Sequence, residues 1–172
     1  MNAIASENER VEGAEQEKVT DKLISRYSAI TAAMELLPDK MASVGILPLQ
    51  TRLIYLIGKQ YGFSLDSRHM LEFAAVFGIG AVAQRAESVI RKVIHADGAA
   101  GVAAASASTF AITYALGKVA EYYYSHGRKF ELAQLKQAFT QFRDQAGKVY
   151  ELSKREVEEL CRTGNPASAA GE

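Results

Sequence analysis

The stretch that decides the fold lies in the middle of the chain, where residues 98–117 read GAAGVAAASASTFAITYALG. This stretch carries no charge, and the helical pattern continues after it to the His126-Gly127 pair, where glycine favours a helix end. A ridge of small residues recurs at every fourth position: Gly101, Ala105, Thr109, Thr113 and Gly117. Such a ridge lets a neighbouring helix approach closely, in lipid or in a soluble bundle. The stretch therefore predicts a long central helix in an all-α protein.

Three helices are predicted before the central one, over about 21–37, 41–61 and 67–95. Pro38 ends the first of them because the residue before a proline is biased away from the helical region. Pro48 predicts a kink or a break in the second helix, and Gly62 is its expected C-cap. Asp97-Gly98 marks the end of the third.

A last helix is predicted over about 130–161. Its apolar residues alternate steps of three and four, which is typical of the seam of a helix pair. Such a helix would be roughly 48 Å long, more than the expected core requires. We therefore expect its far end to project and to bind a partner. The candidate partner contacts are Val149, Leu152, Val157 and Leu160.

The chain ends differ from the middle in composition. Residues 1–20 hold five glutamates against Arg10 and Lys18 and almost no large apolar side chain, so we expect a disordered acidic tail or a frayed helix. Residues 163–172 are mostly small and are expected to form a flexible tail. The remaining residues, 21–162, predict a single helical domain.

The predicted fold class is thus all-α: about five helices in a bundle, a long C-terminal amphipathic helix and a disordered acidic N-terminal tail. The core is expected to join apolar residues from all the predicted helices. They are Ile30, Leu53, Phe73, Phe77, Phe110, Tyr114 and Phe139.

The net charge and the absence of catalytic motifs argue against two functional classes, nucleic-acid-binding proteins and enzymes. The 20 basic and 20 acidic side chains cancel, which argues against a dedicated nucleic-acid-binding protein. Cys161 is the only cysteine, so the chain forms no internal disulfide, as is usual in a reducing cytoplasm. His69 and Glu72 lie three residues apart, but no HExxH or paired CxxC motif accompanies them. The sequence therefore predicts no enzyme, with no catalytic residue, cofactor or metal ligand.

Membrane association is predicted from the composition of two segments, because no segment of the sequence has the hydrophobicity of a typical membrane-spanning helix. The large apolar side chains of residues 98–117 favour insertion by only about −2 kcal/mol, and serines, threonines and glycines oppose it. A spanning helix, a peripheral or re-entrant segment and a soluble bundle all remain open. The central segment, residues 51–95, has an excess of basic side chains, and such side chains bind anionic headgroups. The candidate membrane-surface contacts are Arg85, Arg91 and Lys92.

Two further pieces of sequence resemble one bacterial family. They are Gln50-x-x-Leu53 leading to Tyr61-Gly62, and the run TYALGK at 113–118. Over about residues 23–150 the chain is similar to the domain of unknown function 697 family, whose relatives include the YcjF-like proteins. The resemblance implies an all-helical, membrane-associated domain without established activity, often found beside a small GTPase domain. This chain has no GxxxxGK[ST] phosphate loop, so a GTPase would be a partner in trans.

These observations support two functional hypotheses. The first is a non-catalytic, membrane-associated helical adaptor that acts with a small GTPase or another protein complex in trans. It would lie on the cytoplasmic side of the bacterial inner membrane, as a peripheral or re-entrant protein. The alternative is a soluble, cytoplasmic oligomerisation or protein-interaction module, in which the last helix would bind a second copy or another protein.

Overall fold

A computed structural model of the chain describes residues 2–37, 41–64 and 99–171. Four α-helices and one short 3-10 helix account for most of these residues: α1 Asn2–Met34, α2 Met41–Gln60, α3 Ala99–Ser125, α4 Leu132–Arg162 and the 3-10 helix Pro166–Gly171. No strand occurs within these three ranges. The protein is all-α, as the sequence predicts.

Two helix ends follow the predicted glycine signals. At the end of α2, Gly62 has a positive φ of 80°, and the Phe63 amide donates to the Gly58 carbonyl at 2.9 Å. At the end of α3, Gly127 has a φ of 66°, and the Arg128 amide donates to the Tyr123 carbonyl at 2.9 Å. Both are Schellman-type ends, in which a left-handed residue lets the chain satisfy the last carbonyls of the helix.

Other predicted boundaries are shifted. Pro48 lies inside α2, which continues through it to Gln60 rather than breaking there. α1 begins at Asn2, so the acidic segment is helical in the structure and continues into the predicted first helix. The predicted helix over 67–95 lies outside the described residues, and so do the predicted core residues Phe73 and Phe77.

The core forms around α1, which packs against α2, α3, α4 and the 3-10 helix. Three of the predicted core residues, Ile30, Leu53 and Phe110, are fully buried. Tyr114 and Phe139 are half-buried and pack against the core. The four helices thus share one hydrophobic interior.

The small-residue ridge of α3 is buried along its whole length. At Gly117, an added Cβ would lie 2.8 Å from Cγ1 of Ile24, so α1 and α3 are in close contact there. At the other end of the ridge, the Ser106 hydroxyl donates to the Ala32 carbonyl at 3.0 Å, and Thr109 donates to the Glu35 carboxylate at 2.8 Å. The ridge is therefore a helix-packing surface within this protein.

A buried polar contact joins three helices at the middle of the ridge. The hydroxyls of Thr31 on α1 and Thr113 on α3 are hydrogen-bonded at 2.9 Å. The Gln50 amide of α2 donates to the same Thr113 oxygen at 3.0 Å. Since buried polar groups are costly when unpaired, this contact favours one relative position of α1, α2 and α3.

The C-terminal segment differs from the predicted flexible tail. Pro166–Gly171 form a 3-10 helix in which Pro166 and Ala170 are buried. The Tyr27 hydroxyl of α1 donates to the Ala170 carbonyl at 3.2 Å. Small side chains do not signal packing in a sequence, yet here their small size lets the segment lie close against α1.

Candidate functional site

The structure divides the predicted partner contacts of α4. Val157 is only 2% exposed, and it packs with three alanines of α1 and with Phe110. Val149 and Leu160 are half-buried around the same cluster, whereas Leu152 is 85% exposed. The prediction that this end of α4 has no partner within the chain is therefore wrong for Val149, Val157 and Leu160. The reason is that Ala29, Ala32 and Ala33 form a shallow surface on α1 that accepts them.

The predicted membrane-surface contacts Arg85, Arg91 and Lys92 lie outside the described residues. The described residues contain a different basic surface, formed between α1, α2 and the 3-10 helix. It is a groove of about 710 Å³. Its lining residues are Val19, Lys22, Leu23, Arg26, Tyr27, Arg52, Leu56, Lys59, Gln60, Ala169, Ala170 and Gly171. We call it the basic groove.

Helical spacing explains how the groove forms. On α1, the four residues from Val19 to Arg26 that line it follow the pattern i, i+3, i+4, i+7, so they share one helix face. On α2, Arg52, Leu56 and Lys59 have the spacing i, i+4, i+7 and also share a face. Each helix therefore presents two cations with apolar side chains between them.

The lining of the groove is rich in positive charge. Lys22, Arg26, Arg52 and Lys59 line it, and no aspartate or glutamate is among its described lining residues. Arg26 also interacts electrostatically with Glu156 of α4, which lies to one side. Such a concentration of positive charge favours an anionic ligand or surface.

Tyr27 lies at the base of the groove and is 1% exposed. Burial raises the pKa of its phenol, an effect that the Arg52 and Arg26 guanidinium groups partly oppose. The phenol also hydrogen-bonds the Arg52 side chain. Tyr27 thus keeps its proton at neutral pH and acts as a neutral hydrogen-bond donor between two guanidinium groups.

The third side of the groove is the C-terminal 3-10 helix. Arg26 donates to the Ala169 carbonyl through Nε at 3.1 Å and through Nη2 at 2.6 Å. Tyr27 donates to the next carbonyl, that of Ala170. Two donors of the groove are therefore directed at two successive backbone oxygens of the protein's own C-terminal segment.

A second charged cluster lies where α1 contacts the C-terminal part of α3. The Lys118 ammonium donates to Asp21 at 2.7 Å and to Glu121 at 2.6 Å. Burial raises the pKa of Glu121, and Lys118 offsets this only in part. For Lys118, burial alone would lower the pKa, but the hydrogen bonds that its ammonium donates to both carboxylates outweigh burial and raise the pKa. This cluster joins α1 to α3.

The described residues were also compared with the requirements of a metal site and of a membrane-spanning helix. In the three described ranges, no group of three or more His, Cys, Asp or Glu side chains could hold a metal ion. One described helix, over Ala100–Ser125, is long and apolar enough to cross a membrane. Half of its most apolar window is buried within the protein.

Comparison of the chain with protein-family models, with curated proteins and with solved structures finds no match. The resemblance to the domain of unknown function 697 family stays a prediction.

The sequence contains a partial signal for the basic groove. Arg52 and Lys59 contribute to the basic excess of residues 51–95, and their seven-residue spacing places them on one helix face. Lys22 and Arg26 belong to a different helix and follow the acidic segment 1–20. The net charge of that part of the chain is therefore not basic. Only packing of α1 beside α2 brings the four cations together.

Proposed function

We propose that the protein is a non-catalytic helical adaptor that binds an anionic membrane surface as a peripheral protein and presents a protein partner there. The basic groove is the observation that carries this proposal. Its four cations have no carboxylate among the described lining residues. Each Lys or Arg close to an anionic membrane contributes about 1 kcal/mol to binding.

Apolar side chains beside the groove add to this support. Val19 lines the groove and is 55% exposed. Tyr55 is 41% exposed, and it lies three residues from Arg52 and four from Lys59 on the same helix. A surface that combines cations with an exposed aromatic and an exposed aliphatic side chain suits the headgroup region of a bilayer.

A peripheral location fits the packing of α3 better than a spanning one. The ridge of α3 is occupied by α1, and its buried hydroxyls are hydrogen-bonded within the bundle. Insertion of α3 into lipid would separate these contacts. The proposed location is the cytoplasmic side of the bacterial inner membrane, and the proposed partner is a small GTPase in trans, as the family resemblance implies.

Vesicle co-sedimentation tests the proposal. The protein is mixed with phosphatidylcholine vesicles with or without phosphatidylglycerol, and we expect binding only to the anionic vesicles. Replacing Lys22 and Lys59 together with glutamine should weaken binding about thirtyfold, since each loss of about 1 kcal/mol is about fivefold. The matched control is Lys136→Gln with Lys148→Gln, two exposed lysines of α4. Equal binding of the two double variants would contradict the proposal.

The alternative function, a soluble oligomerisation or interaction module, has one supporting observation. Leu152 is 85% exposed on α4, which is otherwise polar on that side. A single exposed leucine is ordinary on a soluble protein, so this observation is weaker than the groove. Sedimentation velocity of Leu152→Glu decides the matter: loss of a wild-type dimer would favour the module, and an unchanged monomer would not.

A further inference from the structure

The C-terminal segment accepts hydrogen bonds from two residues that line the basic groove. Arg26 directs two N–H groups at the Ala169 carbonyl, and the Tyr27 hydroxyl donates to the Ala170 carbonyl. Two adjacent oxygens of one segment thus lie where a guanidinium group and a phenol converge. A tetrahedral oxyanion also presents two neighbouring oxygens, so it could accept the same donors.

The segment consists of small residues. Its sequence is PASAAG, so each residue buries little apolar surface. A 3-10 helix also has poorer hydrogen-bond geometry than an α-helix. Gly164, with a φ of 70° and open space around it, separates the segment from α4. This arrangement allows the segment to leave the groove as a unit without unfolding α4.

An oxyanion would be a stronger acceptor than the two carbonyls. An anionic oxygen attracts a guanidinium group through its full charge as well as through the hydrogen bond, whereas a carbonyl oxygen offers only a partial charge. Arg52 lies beside Tyr27, and Lys22 and Lys59 flank the same space, so further cations would face the added charge. A neutral carbonyl gains much less from these cations.

We propose that Arg26 and Tyr27 form a binding centre for the phosphodiester of an anionic lipid headgroup, and that Pro166–Gly171 occupies this centre until the headgroup displaces it. The proposal rests on the membrane-binding function proposed above. The lipid is favoured over free phosphate because Val19, Leu23 and Leu56 line the same groove. By linkage, a segment that blocks the headgroup must itself be released by the headgroup.

A matched pair of variants tests the proposal. Ala170 is 8% exposed and packs against the core, whereas Ser168 is exposed on the same segment. Ala170→Gln should release the segment, and Ser168→Gln should leave it docked with the same added side chain. We expect Ala170→Gln to bind phosphatidylglycerol vesicles roughly threefold to tenfold more tightly than wild type, the factor being set by the docked fraction. Ser168→Gln should bind like wild type.

Hydrogen exchange gives a second readout on the same samples. In wild-type protein, the backbone amides of residues 166–171 should exchange faster when phosphatidylglycerol vesicles are added. A truncation after Asn165 should reproduce the tighter binding of Ala170→Gln, and circular dichroism checks that both variants keep the helical content of the bundle.

Each outcome is decisive. If Ala170→Gln exchanges rapidly over 166–171 but binds as wild type does, the segment does not block the site and this proposal alone is overturned. If inorganic phosphate without vesicles releases the segment equally well, the lipid is the wrong source of the phosphate group. If no form of the protein binds anionic vesicles, the proposed function fails and the headgroup site fails with it.

Discussion

The side of α1 that packs on α3 and the side that lines the basic groove differ in chemistry although they belong to the same turns of one helix. Toward α3, Ile24, Thr31 and Ala32 are fully buried and meet small residues or hydrogen-bonding hydroxyls. Toward the groove, Lys22 and Arg26 remain accessible to a large open volume. The buried side of α1 stabilises the fold, and the groove side carries the proposed binding surface, so substitutions on the two sides should affect different properties.

The largest expected loss of folding stability comes from a substitution in the hydrophobic core. Leu53 of α2 is fully buried and lies near Gly117 and the α1 side of the core. Leu53→Ala should lower the free energy of unfolding by about 2–5 kcal/mol, because it removes buried apolar contacts and leaves a cavity. Urea unfolding measures this change.

Lys59→Gln is the opposite case: it should leave stability within about 0.5 kcal/mol of wild type while weakening vesicle binding.

The second-largest loss of stability is expected at the buried hydrogen-bonded contact among α1, α2 and α3. Thr113→Val keeps the side-chain shape but leaves the buried Gln50 amide without its acceptor, so we expect a loss of about 1–3 kcal/mol. The control is Thr140→Val, an exposed position where the hydroxyl bonds only the Lys136 carbonyl of its own helix. Equal stabilities of the two variants would show that the buried contact contributes nothing to the interior.

Two glycines should respond in opposite directions to the same substitution. At Gly117, a new Cβ would lie 2.8 Å from Ile24 and 3.2 Å from Leu53, so Gly117→Ala should destabilise the protein by about 1–2 kcal/mol. Gly147 of α4 has open space around it, so Gly147→Ala should stabilise by about 0.5–1 kcal/mol through helix propensity. Thermal unfolding distinguishes them, and a stabilising Gly117→Ala would contradict the close contact of α1 and α3.

The smallest expected effect depends on pH. Burial raises the pKa of Glu121 in the folded protein, so the folded state binds its proton more readily than the unfolded state does. The contribution of Glu121 to stability is therefore fully present below its unfolded pKa and is lost as the pH rises through the folded pKa. Glu121→Gln should be more stable than wild type at neutral pH, by about 1 kcal/mol or less, because Asp21 still pairs with Lys118.

Urea unfolding of Glu121→Gln and wild type at neutral and at acidic pH measures this dependence. The difference in stability should shrink as the pH falls toward the ordinary glutamate range, where both side chains are neutral. A difference that grows on acidification would reverse the sign of the assigned pKa shift.

Much of the helical architecture could be predicted from the sequence because its causes are local. Gly62 and Gly127 end helices through a backbone conformation that other residues rarely adopt, and this preference acts within one turn. The four-residue spacing from Gly101 to Gly117 fixes a single helix face, whatever that face contacts. Ile30, Leu53 and Phe110 were expected in the core from apolar spacing and are fully buried.

The basic groove and the contacts of α4 could not be predicted in the same way, because they depend on which helices become neighbours. The distal half of α4 looked unpartnered since the alanines that receive Val157 lie more than a hundred residues earlier in the chain. The small-residue C-terminal segment looked flexible because nothing in its composition shows that Arg26 and Tyr27 would hydrogen-bond its carbonyls.

By itself, then, the sequence determined the helical class, the ends of α2 and α3 and the close-packing ridge, since propensity and periodicity are properties of consecutive residues. Only the tertiary structure decided that Lys22 and Arg26 face Arg52 and Lys59 across one groove. Charges on separate helices create a shared field only after packing brings them within a screening length of each other.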